Sequence, residues 1–159
     1  MQVVNVAEVE GLERHSPKGK FGRSTRRLSV ALGREETSTD LLKRHPFDVA
    51  VATIPPSKSL CPYHSHSAQW EFYQVISGRG SVRDAGGRTP VEPGDAFLFK
   101  PGEAHEIIND GTEDLVYYVI ADNPFGESCH YPDSGKWCAY SPEYRMMRSE
   151  NLDYGDGEE

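Results

Sequence analysis

The segment His64-Ser65-His66-Ser67-Ala68-Gln69-Trp70-Glu71 places two histidines one residue apart and a glutamate five residues after the second. Side chains alternate with period two along an extended strand, so His64 and His66 are predicted to point to the same side. Glu71 would face the other way on an unbroken strand. We therefore predict a break around Ser67 to Gln69, with Glu71 opening the next strand.

A second stretch supplies a third histidine. It reads Gly94-Asp95-Ala96-Phe97-Leu98-Phe99-Lys100-Pro101-Gly102-Glu103-Ala104-His105 and continues to Asn109. Imidazole nitrogen binds zinc, copper, iron and nickel, and a carboxylate oxygen extends the choice to manganese. Three imidazoles and one carboxylate on a rigid sheet would make a metal site with open positions. The predicted ligands of one divalent ion (iron, manganese, zinc or nickel) are His64, His66, Glu71 and His105.

Together the two stretches resemble the two sequence motifs of the cupin superfamily in its metal-binding form. The first motif is His-x-His, four residues, Glu, six residues and Gly78, and the second runs from 94 to 109. Lys58 and Lys100 stand where glycine and proline are usual, and neither position is a ligand. The resemblance covers 61–109. It implies an all-β cupin jelly-roll barrel, also called a double-stranded β-helix, that commonly forms dimers.

Short runs of apolar and β-branched residues recur along the chain and are separated by turn residues. Phe47–Ile54 is a predicted strand that ends at Pro55-Pro56, because proline cannot donate to a ladder. Further strands are predicted at Trp70–Ile76, Gly80–Arg83, Asp95–Lys100, Glu106–Ile108 and Leu115–Ile120. Strands at this spacing indicate an antiparallel sandwich or barrel. Helix signals are weak and predict one short turn at 38–44.

A chain of 159 residues is of the usual size for one compact domain. We divide it into an N-terminal arm at 1–44, partly packed on the barrel or a dimer partner, a barrel at 45–125 and a C-terminal extension at 126–159. The tail of that extension is acidic and glycine-containing, and we expect it to be mobile.

The formal net charge of −8 argues against nucleic acid as a partner. A local basic cluster between Lys18 and Arg27 is interpreted as a solvated arm rather than a docking site for an anion. No apolar stretch approaches the roughly 20 residues that span a bilayer, so we predict no membrane association. Three cysteines without regular spacing predict no disulfide framework and favour the reducing cytoplasm. Cys129 and Cys138 are able to pair, although small buried hydrophobes are the favoured interpretation.

The run Leu115–Ile120 is apolar at every position, so both of its faces are apolar. One face is expected to line the barrel, and either the N-terminal arm or another subunit must cover the other. We therefore predict a homodimer.

The segment Tyr131-Pro132-Asp133-Ser134-Gly135-Lys136 resembles a subgroup of small single-domain bacterial cupins, some of which carry a sugar-phosphate isomerase label. Pro132 and Gly135 fit a tight turn, and Asp133 and Lys136 are a candidate charge pair within it. A turn that packs the tail onto the barrel is favoured over a substrate contact.

Two classes of function follow from the predicted site. The first is a metal-dependent enzyme that acts on a small polar molecule inside the barrel, with isomerisation, dioxygenation or decarboxylation as the possible reactions. The second is a non-catalytic binding or sensor protein whose metal orients a small ligand. No residue stands out as a general base, and the catalytic residues are unknown. The candidate substrate-pocket residues are Tyr73, Phe97, Phe99 and Ile107.

Overall fold

The computed structural model describes residues 1–140, 144–154 and 156–157. Within these residues the helical elements are a 3-10 turn at Val6–Glu8 and two helices, α1 at Leu28–Ala31 and α2 at Leu41–Arg44. The strands are β1 (Gly11–His15), β2 (Gly22–Arg27), β3 (Phe47–Ile54), β4 (Lys58–Ser59), β5 (Ser65–His66), β6 (Glu71–Ser77), β7 (Gly80–Asp84), β8 (Gly87–Val91), β9 (Ala96–Phe99), β10 (Glu106–Asn109), β11 (Leu115–Asp122), β12 (Ser128–Tyr131), β13 (Lys136–Tyr140) and β14 (Tyr144–Arg148).

The strands form three sheets in which all paired strands run antiparallel. The first has the order β1-β2-β3-β11-β6-β9, the second β4-β10-β7-β8, and the third β14-β13-β12-β5. The third sheet joins the C-terminal extension to β5, the short strand that carries His66. The prediction of an all-β antiparallel architecture is confirmed.

Each strand predicted from the sequence is present, with small differences at its ends. The strand over Phe47–Ile54 has the predicted bounds. Gly78 permits the tight turn between β6 and β7, because it has a φ of +79° and an added Cβ would collide with the backbone carbonyl of Asp114. The predicted helical turn at 38–44 is reduced to Leu41–Arg44, where the Asp40 side chain accepts from the Leu42 amide. The helix at Leu28–Ala31 had no sequence signal.

The hydrophobic core lies between the first two sheets, towards one end of the barrel. It contains Ile54 and Leu115, both fully buried, together with Val75, Val82 and Ile107. Towards the other end the inner face of the first sheet carries Ala50, Ala52 and Ala121, whose small side chains leave space. That space holds the candidate site.

The N-terminal arm joins the barrel by strand addition. Strand β2 pairs with β3 and β1 pairs with β2, so the arm extends the first sheet at its edge. On the outer face of the same sheet, Ile120 of β11 is 38 % exposed. No helix among the described residues is long and apolar enough to cross a membrane.

Candidate metal centre

A single antiparallel bridge between backbones positions two of the predicted ligands. The His64 amide donates to the His105 carbonyl at 3.1 Å, and the His105 amide donates back to the His64 carbonyl at 2.8 Å. His66 follows on β5, and its Nε2 lies 3.2 Å from Nε2 of His64. The two strand histidines therefore point to the same side, as period-two alternation predicts.

Glu71 reaches the histidines because the chain bends before it. Residues 67–70 lie outside any strand, and Glu71 opens β6 opposite Phe99 and Ala121. Its Oε2 lies 2.9 Å from Nε2 of His105 and 3.4 Å from Nε2 of His66. The break that the sequence required is present, and it turns this carboxylate into the barrel.

The second nitrogen of each imidazole faces an oxygen acceptor. Nδ1 of His64 is 3.0 Å from the Pro62 carbonyl, and Nδ1 of His105 is 3.2 Å from the Glu103 carbonyl. Nδ1 of His66 is 3.2 Å from a carboxylate oxygen of Glu127. An acceptor at Nδ1 selects the tautomer that carries its proton there. All three Nε2 atoms are then lone-pair acceptors, and those of His66 and His105 lie beside Glu71.

This donor set fits a divalent cation. Lone pairs 3.2 Å apart on His64 and His66 repel each other unless a positive charge lies between them. Two ligands that each lie about 2.1 Å from one ion, at an angle between a right angle and the tetrahedral angle, are separated by about 3.0–3.4 Å. The separations His105–Glu71 (2.9 Å), His64–His66 (3.2 Å) and His66–Glu71 (3.4 Å) are of that size, and His64, His66 and Glu71 form one group of close ligand atoms. That the four residues bind a metal stays a prediction.

Electrostatics favour the protonation states that a metal requires. Burial lowers the pKa of His66, which favours the neutral ring, and the Glu71 charge opposes that shift. Burial by itself would raise the pKa of Glu71, but its interactions with His105, His66 and His64 outweigh burial and hold the pKa at about 2. Glu71 is therefore an anion throughout the physiological range.

Tyr73 adds a hydroxyl donor to the site. Its OH donates to Oε2 of Glu71 at 2.9 Å and lies 3.4 Å from Nε2 of His105. Burial and then the Glu71 charge raise the pKa of Tyr73 well above its usual value of 10. The phenol therefore stays protonated and acts as a donor rather than as a base.

Of the four candidate pocket residues, the structure places only Tyr73 on the cavity wall. Phe99 stacks on the His105 ring at 3.9 Å between centroids, and Phe97 stacks on the Tyr73 ring at 5.2 Å. Ile107 is 1 % exposed and packs in the hydrophobic core. Phe97 and Phe99 therefore lie behind Tyr73 and His105, and Ile107 belongs to the core rather than to the cavity wall.

The cavity beside the four side chains has a volume of about 340 Å³. That size suits a small molecule at the lower end of ordinary ligand pockets. Its walls are three of the candidate ligands (His64, His66 and Glu71), the small side chains of the first sheet, and residues from both ends of the chain that the sequence analysis did not favour as site residues. Those residues are Arg23, Thr25 and Arg27 from β2, and Cys129 and Tyr131 from β12.

Glu127 is the functional residue that the sequence analysis most clearly missed. Its Oε1 accepts from His66 Nδ1 and from the Ser67 amide at 2.9 Å, and its Oε2 accepts from the Ala68 amide at 3.1 Å. It therefore fixes both the His66 ring and the bend that precedes Glu71. Glu127, His66 and Cys129 also form a second group of close ligand atoms, with the Cys129 sulfur 3.4 Å from His66 Nδ1.

The hairpin of β12 and β13 covers the His64 side of the site. The Tyr131 ring stacks over the His64 ring at 6.0 Å between centroids. The sequence suggested a charge pair between Asp133 and Lys136. Asp133 instead forms a two-point ion pair with Arg83 of β7 at 2.7 and 2.8 Å. Lys136 instead lies over the Tyr131 ring, 5.6 Å from its centroid. The planar guanidinium of Arg83 matches the two oxygens of a carboxylate better than the ammonium of Lys136 does, which explains why Asp133 pairs with Arg83.

Comparison with known proteins finds one family model and one curated relative that match part of the chain. Residues 50–121 match the family model of the cupin domain. An oxalate-binding protein of Thermotoga maritima is 33 % identical over 67 residues, which are 42 % of this chain. That match covers 54 % of the relative, so the chain spans about half of its length.

Two solved structures share the fold over nearly the whole chain. One is a candidate sugar phosphate isomerase from Acidithiobacillus ferrooxidans, with a TM-score of 0.78, 25 % identity, and coverage of 93 % of this chain and 92 % of that one. The other is a sugar phosphate isomerase from a cupin superfamily of Silicibacter pomeroyi, with a TM-score of 0.78, 22 % identity and 93 % coverage of both chains. The predicted fold, a cupin jelly-roll barrel, is confirmed.

Proposed function

We propose that this chain, whose residues 50–121 match the cupin domain model, is a metal-dependent enzyme acting on a small polar molecule inside the barrel. Isomerase-type chemistry is the first choice and dioxygenase-type chemistry the second. The similarity to a candidate sugar phosphate isomerase, at 25 % identity over 93 % of the chain, supports that order.

The observation that carries the proposal is that Nε2 of His66 and Nε2 of His105 lie 3.4 and 2.9 Å from one Glu71 oxygen, while Nε2 of His64 lies 3.2 Å from that of His66. In this proposal His64, His66, Glu71 and His105 hold one divalent ion, either iron, manganese, zinc or nickel. Such an ion would supply a Lewis acid or a redox centre. Three imidazoles and one carboxylate leave further positions of an octahedral ion for substrate or water.

The chain's own residues supply positioning. The Tyr73 hydroxyl donates its one proton to Glu71 and thereby orients that carboxylate beside the cavity. Burial raises the pKa of the Cys61 and Cys129 thiols to about 12, so both line the cavity as neutral thiols. Thiolate nucleophiles are therefore not part of the proposed chemistry.

Metal analysis combined with two activity assays tests this function. The protein is purified without a metal-affinity tag, its metal content is measured, and the metal is restored before assay. Isomerisation of small phosphorylated sugars without oxygen uptake is the expected result. Oxygen consumption with iron would instead favour dioxygenase-type chemistry. Metal-loaded protein that turns over no small hydroxylated or phosphorylated compound would contradict the enzyme assignment.

A second candidate function is metal-dependent binding of a small ligand without turnover. The observation that favours it is the similarity to a relative named an oxalate-binding protein, at 33 % identity over 67 residues. A binding protein would hold its ligand unchanged, so recovery of intact ligand from the metal-loaded complex separates the two functions.

We further propose a homodimer formed through the outer face of the first sheet. Ile120 lies beside Phe72 in the ladder, and Phe72 lies beside Leu98. Leu98 is 47 % exposed and Ile120 is 38 % exposed in the single chain. A second copy would cover this apolar row. The cytoplasm stays the predicted compartment, in keeping with three free cysteines.

A further inference from the structure

The cavity has a second polar wall opposite the metal cluster, formed by the N-terminal strand β2. Arg23, Thr25 and Arg27 alternate along this strand and line the cavity, whereas Arg26 is on the other face. Strands β3 and β11 separate β2 from β6, which carries Glu71. Three strand spacings place the two walls roughly 14 Å apart between backbones. Arg23 and Arg27 therefore face the candidate site, although the sequence analysis interpreted the basic cluster to which they belong as a solvated arm.

The charges on this wall are not equivalent. Arg27 is neutralised by a two-point ion pair with Glu36. Asp48, which also lines the cavity, is paired with Arg34 at 3.1 Å. Arg23 makes no ion pair with a carboxylate among the described residues, and it donates from Nη1 to the Leu60 carbonyl at 2.7 Å. The remaining donors of a guanidinium with five N–H groups are left for another acceptor.

A second unused polar group lines the same cavity. The Tyr117 hydroxyl is buried without a hydrogen-bond partner, and the residue is 1 % exposed. Buried hydroxyls are rarely left unpaired, because the lost bond to water is not replaced. Burial, followed by the nearby Cys61, raises the pKa of Tyr117 well above its usual value, and the charge of Arg23 opposes both. The phenol is thus a neutral donor within electrostatic range of the guanidinium.

We propose that Arg23 and the Tyr117 hydroxyl form an oxyanion-binding point. This point holds the carboxylate or phosphate end of a small organic ligand, and the hydroxyl or carbonyl oxygens of that ligand face the metal cluster. The guanidinium supplies charge and paired donors, and the phenol supplies a further donor. The small side chains of Ala50, Ala52 and Ala121 between the two walls leave room for the body of the ligand. This assignment of ligand class rests on the proposed function.

Calorimetric titration of four proteins with three probes tests the proposal. The proteins are the wild type, Arg23→Gln, Tyr117→Phe and the matched control Arg26→Gln, which removes the same charge from the opposite face of β2. The probes are glycolate, glycerol 3-phosphate and uncharged ethylene glycol, added to Mn²⁺-loaded protein at low salt. Glycolate carries a carboxylate and glycerol 3-phosphate carries a phosphate, so these two probes distinguish the two kinds of oxyanion.

At least one of the two anions is expected to bind the wild type more tightly than ethylene glycol. Arg23→Gln should weaken that anion at least about tenfold, the factor that corresponds to about 1.4 kcal/mol. Tyr117→Phe should weaken it by a smaller factor with no loss of thermal stability, since the hydroxyl has no partner in the protein. Arg26→Gln should match the wild type. Affinities within twofold across all four proteins, or no preference for either anion over ethylene glycol, would overturn the proposal.

Separate readouts keep this inference distinct from the metal proposal. Mn²⁺ stoichiometry is measured first, and it should be the same in the wild type and Arg23→Gln. A wild type that binds no Mn²⁺ would contradict the proposed function, and the titrations would then be made on the metal-free protein. Anion binding that still depends on Arg23 would support the oxyanion point, and its absence would reject that point. Tyr117→Phe decides the matter if Arg23→Gln does not fold.

Discussion

Replacing Glu127 by glutamine should weaken metal binding although Glu127 is not one of the proposed ligands. The carboxylate accepts three hydrogen bonds, from His66 Nδ1 and from the Ser67 and Ala68 amides. A glutamine side chain has one acceptor oxygen, so at least one of these bonds is lost. If its NH₂ group turns towards His66, it donates to Nδ1 and moves the imidazole proton to Nε2, the atom that should hold the metal.

The expected size of the effect comes from two independent estimates. A hydrogen bond to a charged group contributes about 1.5–3 kcal/mol. Loss of a carboxylate that orients a ligating histidine typically costs about 10–100-fold in metal affinity, and each factor of ten corresponds to about 1.4 kcal/mol. The two estimates agree, so Glu127→Gln should raise the dissociation constant for Mn²⁺ or Zn²⁺ by about 10–100-fold.

Competition titration against a chromogenic chelator measures that constant. Glu103→Gln is the matched control, because the exposed Glu103 side chain accepts from the Lys100 amide while only its backbone carbonyl meets His105. This control should bind metal as the wild type does. Equal affinities for Glu127→Gln, Glu103→Gln and the wild type would refute the reasoning, because the carboxylate would then have no effect on the His66 ring.

Three further predictions concern the ligands, pH and assembly. Changing His105 or His66 to Ala should abolish stoichiometric metal binding. The far-UV circular dichroism spectrum should stay that of the wild type, because the core at Ile54 and Leu115 lies apart from the site. Metal retained by both variants would contradict the proposed ligand set. Bound metal should be released as the pH falls below about 6, where free imidazole gains its proton. Burial lowers the pKa of His66 and the pKa of Glu71 is about 2, so the loss of metal should reflect protonation of imidazole rather than of the carboxylate. A metal content that stays constant from pH 7.5 to 4.5 would reject this prediction. Light scattering should give a dimer that Leu98→Glu converts to a monomer, whereas a wild type that is monomeric at every concentration would rule out the interface.

The strands and the grouping of His64, His66 and Glu71 were predictable because both depend on local patterns. Period-two alternation places His64 and His66 on one side, and the same rule requires the bend that turns Glu71 inward. The hairpin glycine Gly78 and the proline pair after Ile54 mark strand ends that the structure keeps.

Residues brought in by distant segments could not be predicted in this way. Glu127 lies 61 residues after His66, and only the pairing of β12 with β5 brings it to the imidazole. Phe97 and Phe99 alternate correctly for an inward face, but alternation does not say whether an inward ring lines a cavity or stands behind another ring. Arg23 and Arg27 are spaced in the sequence for one face of a strand. The basic residues around them fall on both faces, so the sequence did not single out this pair.

The most direct test of the proposed metal centre is a crystal structure of the metal-loaded protein with anomalous diffraction at the edge of the bound metal. We predict one ion bonded to Nε2 of His64, His66 and His105 and to a Glu71 oxygen, at about 2.0–2.2 Å for a zinc-like ion. An ion bound instead between His66 Nδ1, Glu127 and Cys129, the second group of close ligand atoms, would contradict it. So would four predicted side chains that point apart around no ion.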